Sequence, residues 1–137
     1  MPASLRQQVR RRAQGCCEYC RMPQGGTVLP HELDHIRSQK HGGTTTIDNL
    51  CLACSLCNAH KGPNVAGYDP ETNALVRLFN PRMDPWNDHF RWNEAILMGK
   101  TAIGRATIVV LEINAEDRVE HRRLLVSANV FPETGRQ

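Results

Sequence analysis

Four cysteines occur in two pairs that have the spacing of metal ligands. Cys17 and Cys20 form one Cys-x-x-Cys pair, and Cys54 and Cys57 form a second. A Cys-x-x-Cys turn brings two thiolates to one ion, so two such turns complete a tetrahedral four-sulfur zinc site. A redox-active pair is the competing interpretation, but the duplication and the lack of a surrounding strand–helix–strand pattern favour zinc. We therefore predict a structural zinc site.

Two further cysteines could take the place of one of these zinc ligands. Cys16 could replace Cys17 at a longer spacing, and Cys51 could form another Cys-x-x-Cys pair with Cys54. We expect instead that Cys16 and Cys51 are small buried or free thiols.

Several polar residues around these pairs are suited to phosphodiester hydrolysis. Asp34 and His35 are adjacent, and Asn49 and Asn58 follow them. An imidazole titrates near neutral pH, so His35 can take a proton from an attacking water. Asp34 offers a hard oxygen ligand for Mg²⁺ or Mn²⁺, and such a cation offsets the charge on the phosphate oxygens. An isolated Asp-His pair would be an ordinary surface feature, so the interpretation depends on the whole set.

The whole set resembles a known family, the HNH nucleases. The resemblance is carried by Cys17-x-x-Cys20, Asp34-His35-Ile36, Gly42-Gly43, Asp48-Asn49-Leu50, Cys54-x-x-Cys57-Asn58 and Lys61-Gly62, in that order. It covers residues 17–62 with order and spacing intact. Shorter motifs in the C-terminal half, including His89-Phe90-Arg91-Trp92, are similar to those of short stand-alone bacterial HNH proteins.

This resemblance implies a fold and a set of roles. The expected fold class is α+β: a small ββα-metal core braced by the four-cysteine zinc site, with an N-terminal helix and a C-terminal extension of strands and helices. Asn49 would steady the loop and orient His35, and Asn58 would join Asp34 as a ligand of the catalytic Mg²⁺ or Mn²⁺. Asn58 stands where the family usually has histidine. The nearby His60 is a weaker candidate, because it would lie about 200° from Asn58 around a helix.

The predicted activity is that of a metal-dependent endonuclease that cleaves DNA and leaves 5′-phosphate and 3′-hydroxyl ends. Four residues are expected to contact phosphates: Arg37, Lys40, His41 and Lys61. One alternative is a non-catalytic zinc-binding nucleic-acid-binding module, and another is a zinc domain that binds proteins. We expect no membrane partner and no small-molecule organic cofactor; a homodimer or a separate targeting partner is left open.

These residues must be positioned by a small number of elements. We predict a helix over residues 4–14, strands around residues 27–29, 32–36 and 47–52, and a helix that follows Cys54. Adjacent side chains of a strand point to opposite faces, so we expect the strand to end or twist at Asp34 if Asp34 and His35 share a site. A hairpin over residues 90–98 and two helices, over residues 103–113 and 117–126, are predicted further on.

Composition indicates a soluble protein with two unequal halves. The 137 residues are 40% hydrophobic and 23% charged, which is typical of a globular chain. No apolar run approaches the roughly 20 residues of a membrane span, and no signal-peptide pattern is visible, so we expect a cytoplasmic protein. Residues 1–63, predicted to hold the basic helix and the nuclease core, carry eight Lys or Arg against four Asp or Glu. Residues 64–137 are predicted to form an extension of unknown role.

Overall fold

The computed structural model describes residues 3–132 and has α+β architecture. It contains five α-helices and six strands in this part of the chain: α1 (Leu5–Ala13), β1 (Glu32–His35), β2 (Leu50–Ala53), α2 (Ser55–Lys61), β3 (Ala66–Tyr68), β4 (Leu75–Arg77), α3 (Trp86–His89), β5 (Phe90–Asn93), β6 (Ile96–Gly99), α4 (Ala102–Val110) and α5 (Glu116–Ser127). Each strand pairs antiparallel with its neighbour in sequence, which gives three two-stranded hairpins.

The first hairpin and the helix after it form a ββα unit. In β1 and β2, Asp34 lies opposite Cys51 and His35 lies opposite Leu50. A long loop, residues 36–49, joins the two strands, and α2 begins directly after β2 with Cys54 as its N-cap. The unit therefore places the Asp34–His35 pair beside a helix that starts at the second cysteine pair.

The N-terminal helix packs on one face of this hairpin. Ser4 and Gln7 form a capping box at its start. Val9 on α1 packs with Leu50 of β2 in a small apolar cluster. Arg12 donates hydrogen bonds to the carbonyl oxygens of Ile47 and Leu50. This arginine therefore holds the helix to the hairpin.

The predicted elements of the C-terminal half are confirmed. The hairpin of β5 and β6 and the helices α4 and α5 are present, and the Thr101 side chain caps α4. The β3–β4 hairpin is present in addition to these elements. A strand at residues 27–29 was also predicted, but the chain makes bends there. Val28 is almost fully exposed at that point, so no burial supports a strand.

A single hydrophobic core joins the two halves of the chain. Its buried members include the four paired cysteines and Tyr19 from the first half, and Leu78, Phe79, Trp86, Phe90, Leu97, Leu111 and Ile113 from the second. The Trp86 indole donates a hydrogen bond to the Tyr19 carbonyl at 2.8 Å. The extension thus packs against the two Cys-x-x-Cys turns, residues 17–20 and 54–57, which we call the knuckles. Residues 1, 2 and 133–137 of the two predicted units lie outside the described residues.

No helix within residues 3–132 is both long and apolar enough to cross a membrane.

A buried ion pair in the C-terminal half makes a pH-dependent contribution to stability. Asp69 is fully buried and accepts hydrogen bonds from Arg105 at 2.8 and 2.9 Å. These bonds hold the pKa of Asp69 well below its ordinary value. The unfolded carboxyl titrates at about pH 4, so the ion pair stabilises the fold above that pH and loses this effect as the pH falls.

We therefore expect Asp69→Asn to lower the melting temperature at pH 7. The difference from wild type should shrink as thermal melts are repeated from pH 6 down to pH 3. Asp88→Asn, at an exposed position, is the matched control and should cost little at any pH. A deficit for Asp69→Asn that stayed constant with pH would contradict the assignment.

Candidate active site and metal centre

The two cysteine pairs converge in the core on one point. The sulfur atoms of Cys17, Cys20, Cys54 and Cys57 all lie within 4.8 Å of one another, and all four residues are buried. The Cys20 and Cys54 sulfurs are 3.7 Å apart. A tetrahedral ion with Zn–S bonds of about 2.3 Å requires sulfurs about 3.8 Å apart. The four buried cysteines therefore fit a zinc site, and Cys16 and Cys51 lie outside the cluster.

A cation from the C-terminal half lies against these sulfurs. Arg118 of α5 is buried, and its guanidinium is 3.1 Å from the Cys57 sulfur and 3.8 Å from that of Cys54. Burial alone would lower the pKa of Arg118, but the negative charge of the surrounding cysteines raises it above its ordinary value. Arg118 thus offsets part of the charge that four thiolates bring into the core.

Asn49 closes the loop that follows β1. Its side-chain oxygen accepts from the Arg37 amide at 2.9 Å, and its amide nitrogen donates to the carbonyls of Arg37 and Thr44. The backbone of Gly43 passes so close to the Arg37 carbonyl that a Cβ there would lie 1.7 Å from the oxygen. Only glycine can occupy that position without moving the loop.

His35 lies at the end of β1, where this loop begins. Its Nε2 is hydrogen-bonded to the Thr45 hydroxyl at 2.9 Å, which fixes the plane of the ring. Its backbone carbonyl accepts a hydrogen bond from the Lys61 ammonium at 2.9 Å. Both contacts hold the imidazole at the surface, where it can meet a substrate.

Asp34 is only 3% exposed and its carboxylate has several partners. One oxygen accepts from the Tyr19 hydroxyl at 2.7 Å and lies 3.4 Å from the Cys51 sulfur. The other is 3.2 Å from the Lys61 ammonium. Burial raises the pKa of Tyr19, so its phenol stays protonated and can donate. The strand continues through His35, so the predicted end or twist at Asp34 is absent. The Asp34 side chain points inward to this network, and the His35 side chain lies on the opposite face.

The structure corrects the prediction for Lys61. Its side chain is 1% exposed and its ammonium is bound to Asp34 and to the His35 carbonyl. A buried lysine engaged in this way cannot also reach a phosphate at the surface. Lys61 therefore positions the two residues predicted to do the chemistry.

Asn58 and His60 point in different directions from α2. The Asn58 amide lies 3.4 Å from a carboxylate oxygen of Glu32, which is exposed. His60 instead contacts Glu112, with Nδ1 3.1 Å from the carboxylate. The predicted separation of Asn58 and His60 around the helix is thus present.

One surface groove brings most of the predicted site together, and we call it the His35 groove. It has a volume of about 390 Å³ and is lined by Leu33, Asp34, His35, Ser38, Gln39, Lys40, Asn58, Gly62 and Pro63. The Ser38 hydroxyl is buried there, without a hydrogen-bond partner among the described residues. Of the predicted phosphate contacts, Lys40 lines this groove, whereas Arg37 and His41 line a different cavity.

Sequence reasoning missed several residues that belong to this site. Glu32 could have been found, because a residue two positions before Asp34 shares its strand face. Tyr19 and Arg118 act over long separations in sequence, and no local pattern indicates their contacts. Thr45 lies in the loop without a recognisable motif.

Comparison with family models and known proteins gives matches over part of the chain. The family model for the HNH endonuclease matches residues 17–64, so the chain carries an HNH endonuclease domain there and the predicted resemblance is confirmed. The Septu protein PtuB of Bacillus thuringiensis is 26% identical over 117 residues, which is 84% of this chain and 43% of that protein. The chain therefore spans less than half of the length of this relative. No solved structure shows significant similarity to the chain.

Proposed function

We propose that this protein is a metal-dependent endonuclease that hydrolyses phosphodiester bonds of DNA and leaves 5′-phosphate and 3′-hydroxyl ends. The observation that carries the proposal is the His35 groove, which His35, Asp34 and Asn58 all line. The HNH endonuclease domain at residues 17–64 supports nuclease activity in general. The choice of DNA and the role of each residue are part of the proposal.

In this mechanism His35 acts as the general base. Its imidazole takes a proton from a water molecule, whose oxygen attacks the phosphorus atom. The bond from phosphorus to the 3′ oxygen breaks, and that oxygen takes up a proton from solvent. Thr45 orients the ring through its hydrogen bond, and Asn49 keeps the loop closed behind it.

The donor atoms around the groove fit a hard divalent cation. Asn58 brings an amide oxygen, and Glu32 places a carboxylate 3.4 Å from Asn58. The Asp34 carboxylate is held by Tyr19 and Lys61, so its part in binding a cation requires Lys61 to release it. Such oxygen ligands suit Mg²⁺ or Mn²⁺. The cation supplies positive charge to the phosphate oxygens in the transition state. Lys61 already shares the Asp34 carboxylate, so this lysine limits how that side chain can move.

The remaining parts of the proposal concern the number of strands cut, a targeting partner and the cellular compartment. Residues 3–132 form one such groove, which supports the nicking of one strand, so a double-strand break requires a homodimer or two events. A targeting partner would direct the protein to its substrate. We place the protein in the cytoplasm, because a four-cysteine zinc site persists where thiols stay reduced.

The direct test is cleavage of supercoiled plasmid DNA by wild type and by His35→Ala, each with Mg²⁺, Mn²⁺ or a chelator. We expect cation-dependent nicking by wild type. The rate for His35→Ala should fall by about 10²–10⁴-fold, which is the usual contribution of a general base. Zinc content and DNA affinity of the variant should match those of wild type.

The matched control is His60→Ala, which removes a histidine that points away from the groove. Its nicking rate should stay near that of wild type. If wild type and His35→Ala both bind DNA, hold zinc and fail to nick, the alternative of a non-catalytic nucleic-acid-binding module replaces the nuclease.

A further inference from the structure

The exposed side of α1 carries three arginines, which we call the basic face: Arg6, Arg10 and Arg11. The helix itself contains no acidic residue. Within residues 3–132, none of the three guanidinium groups takes part in a salt bridge. The fourth arginine of the helix, Arg12, is instead bound to backbone carbonyls of the first hairpin. The basic face therefore presents three cations to solvent without an acidic partner in this part of the chain.

The stability of α1 does not account for all of these charges. A helix has a partial positive charge at its N-terminal end, so the position of Arg6 in the first turn is unfavourable. Arg6 and Arg10 are four positions apart, where like charges on a helix repel each other. The dipole favours only Arg10 and Arg11, which lie in the last turn. The folded chain therefore carries a repulsion that a bound polyanion would relieve.

The rest of the helix surface indicates which kind of polyanion fits. Apart from its arginines, the exposed side chains of α1 are Gln7 and Gln8, which are polar. Its apolar side chains, Leu5 and Val9, belong to the cluster packed on the hairpin. A helix that binds a membrane surface needs a free apolar face, and a protein interface has an apolar centre. Exposed arginines without apolar surface are typical of contacts to nucleic-acid phosphates.

The helix adjoins the His35 groove through one residue. Leu33 of β1 packs against the apolar cluster that joins Val9 of α1 to β2, and Leu33 also lines the groove. The helix has nine residues and is therefore about 14 Å long. A duplex carries one phosphate charge per about 1.7 Å of its axis, so a duplex that extends from the groove along α1 presents about eight phosphates to the helix.

We propose that the basic face binds the phosphate backbone of duplex DNA next to the bond that is cut. This inference rests on the proposed function and extends its DNA contact surface beyond residues 17–64. Arginine contacts to phosphates fix the position of a protein on the duplex and carry no sequence information. The basic face therefore contributes affinity without a choice of sequence, and the cleavage step itself takes place in the groove.

The test measures binding of the zinc-loaded full chain to a short labelled DNA duplex by fluorescence anisotropy, without added Mg²⁺ or Mn²⁺. The triple variant Arg6→Gln, Arg10→Gln, Arg11→Gln removes the basic face and keeps side chains that favour a helix. Each lost phosphate contact lowers the slope of log affinity against log salt by about 0.9. We expect the slope to fall by about two to three, and the affinity at about 0.1 M salt to fall by about 10²-fold. The melting temperature should equal or exceed that of wild type, because the first turn loses an unfavourable charge.

The matched control is a second triple variant that removes three exposed cations of the C-terminal half: Arg91→Gln, Lys100→Gln, Arg123→Gln. It has the same net charge as the basic-face variant, so the comparison isolates the position of the charges from their number. The control should keep the salt slope of wild type. Equal slopes for the two triple variants would overturn the proposal. So would a basic-face variant that loses binding to phosphatidylglycerol vesicles and keeps binding to DNA.

Plasmid nicking, measured in parallel, separates this proposal from the proposed function. The basic-face variant should need a higher DNA concentration for half-maximal nicking and should reach the wild-type rate at saturation. A wild type that binds DNA through the basic face and does not nick would retain this proposal and lose the nuclease. Nicking by both triple variants at the wild-type rate at every DNA concentration would retain the nuclease and overturn the role of the basic face.

Discussion

Replacing Lys61 with methionine is expected to destabilise the protein by about 3–5 kcal/mol, because it leaves the buried Asp34 carboxylate without its cation. Methionine keeps the apolar stem of the side chain, so the loss isolates the charge and the hydrogen bond to the His35 carbonyl. Unfolding in urea, followed by tryptophan fluorescence, measures this change. Lys40→Met, at an exposed lysine of the loop that follows β1, should change stability by less than about 0.5 kcal/mol.

The double variant Asp34→Asn, Lys61→Met sharpens this prediction. Removing both charges of a buried pair is often close to neutral, so the double variant should recover most of the lost stability. The hydroxyl of Tyr19 can still donate to the amide oxygen at position 34. If the two substitutions were additive in their cost, the Asp34–Lys61 contact would contribute nothing as a pair.

Removal of zinc is expected to unfold the whole chain, including the half that contributes no ligand. Zinc binding to four cysteines contributes roughly 10–16 kcal/mol, which equals or exceeds the total stability of a typical domain. The ligands lie within the same core as Trp86 and Phe90. Titration with a strong chelator should therefore abolish helical circular dichroism and native tryptophan fluorescence together.

Cysteine substitutions separate ligand loss from general damage to the core. Cys17→Ser should lose zinc and fold poorly, whereas Cys16→Ser should retain one zinc per chain. Both residues are buried and adjacent, so the comparison is closely matched. The idea of a shared core would fail if the fluorescence of the C-terminal tryptophans stayed native after zinc had left.

Local features of this chain could be predicted, and contacts between distant segments could not. The knuckles, the capping box at Ser4 and the start of α4 at Thr101 depend on residues a few positions apart, and the structure has all of them. The prediction for Lys61 was wrong. The sequence indicated on which face of the helix the residue lies, but it did not indicate how deeply that face is buried. The burial of Lys61 depends on the residues that pack over α2, and those residues come from other parts of the chain.

The candidate site illustrates the same limit. The identities of His35, Asp34 and Asn58 follow from motifs, and all three border one groove. The inward orientation of Asp34 depends on Tyr19, whose hydroxyl reaches it from the first knuckle. Only the position of that knuckle relative to β1 makes this contact possible, and no periodicity in the sequence encodes it.

The hydrogen bond from Trp86 to the Tyr19 carbonyl bears on how this HNH domain can be joined to other proteins. Tyr19 holds Asp34, so a residue outside the HNH match contacts the same knuckle residue that reaches the site. A gene fusion that carried residues 17–64 alone would transplant the motif without Trp86 and Arg118. The contacts that support the site therefore extend beyond the residues that the family model matches, and engineered chimeras should include the extension.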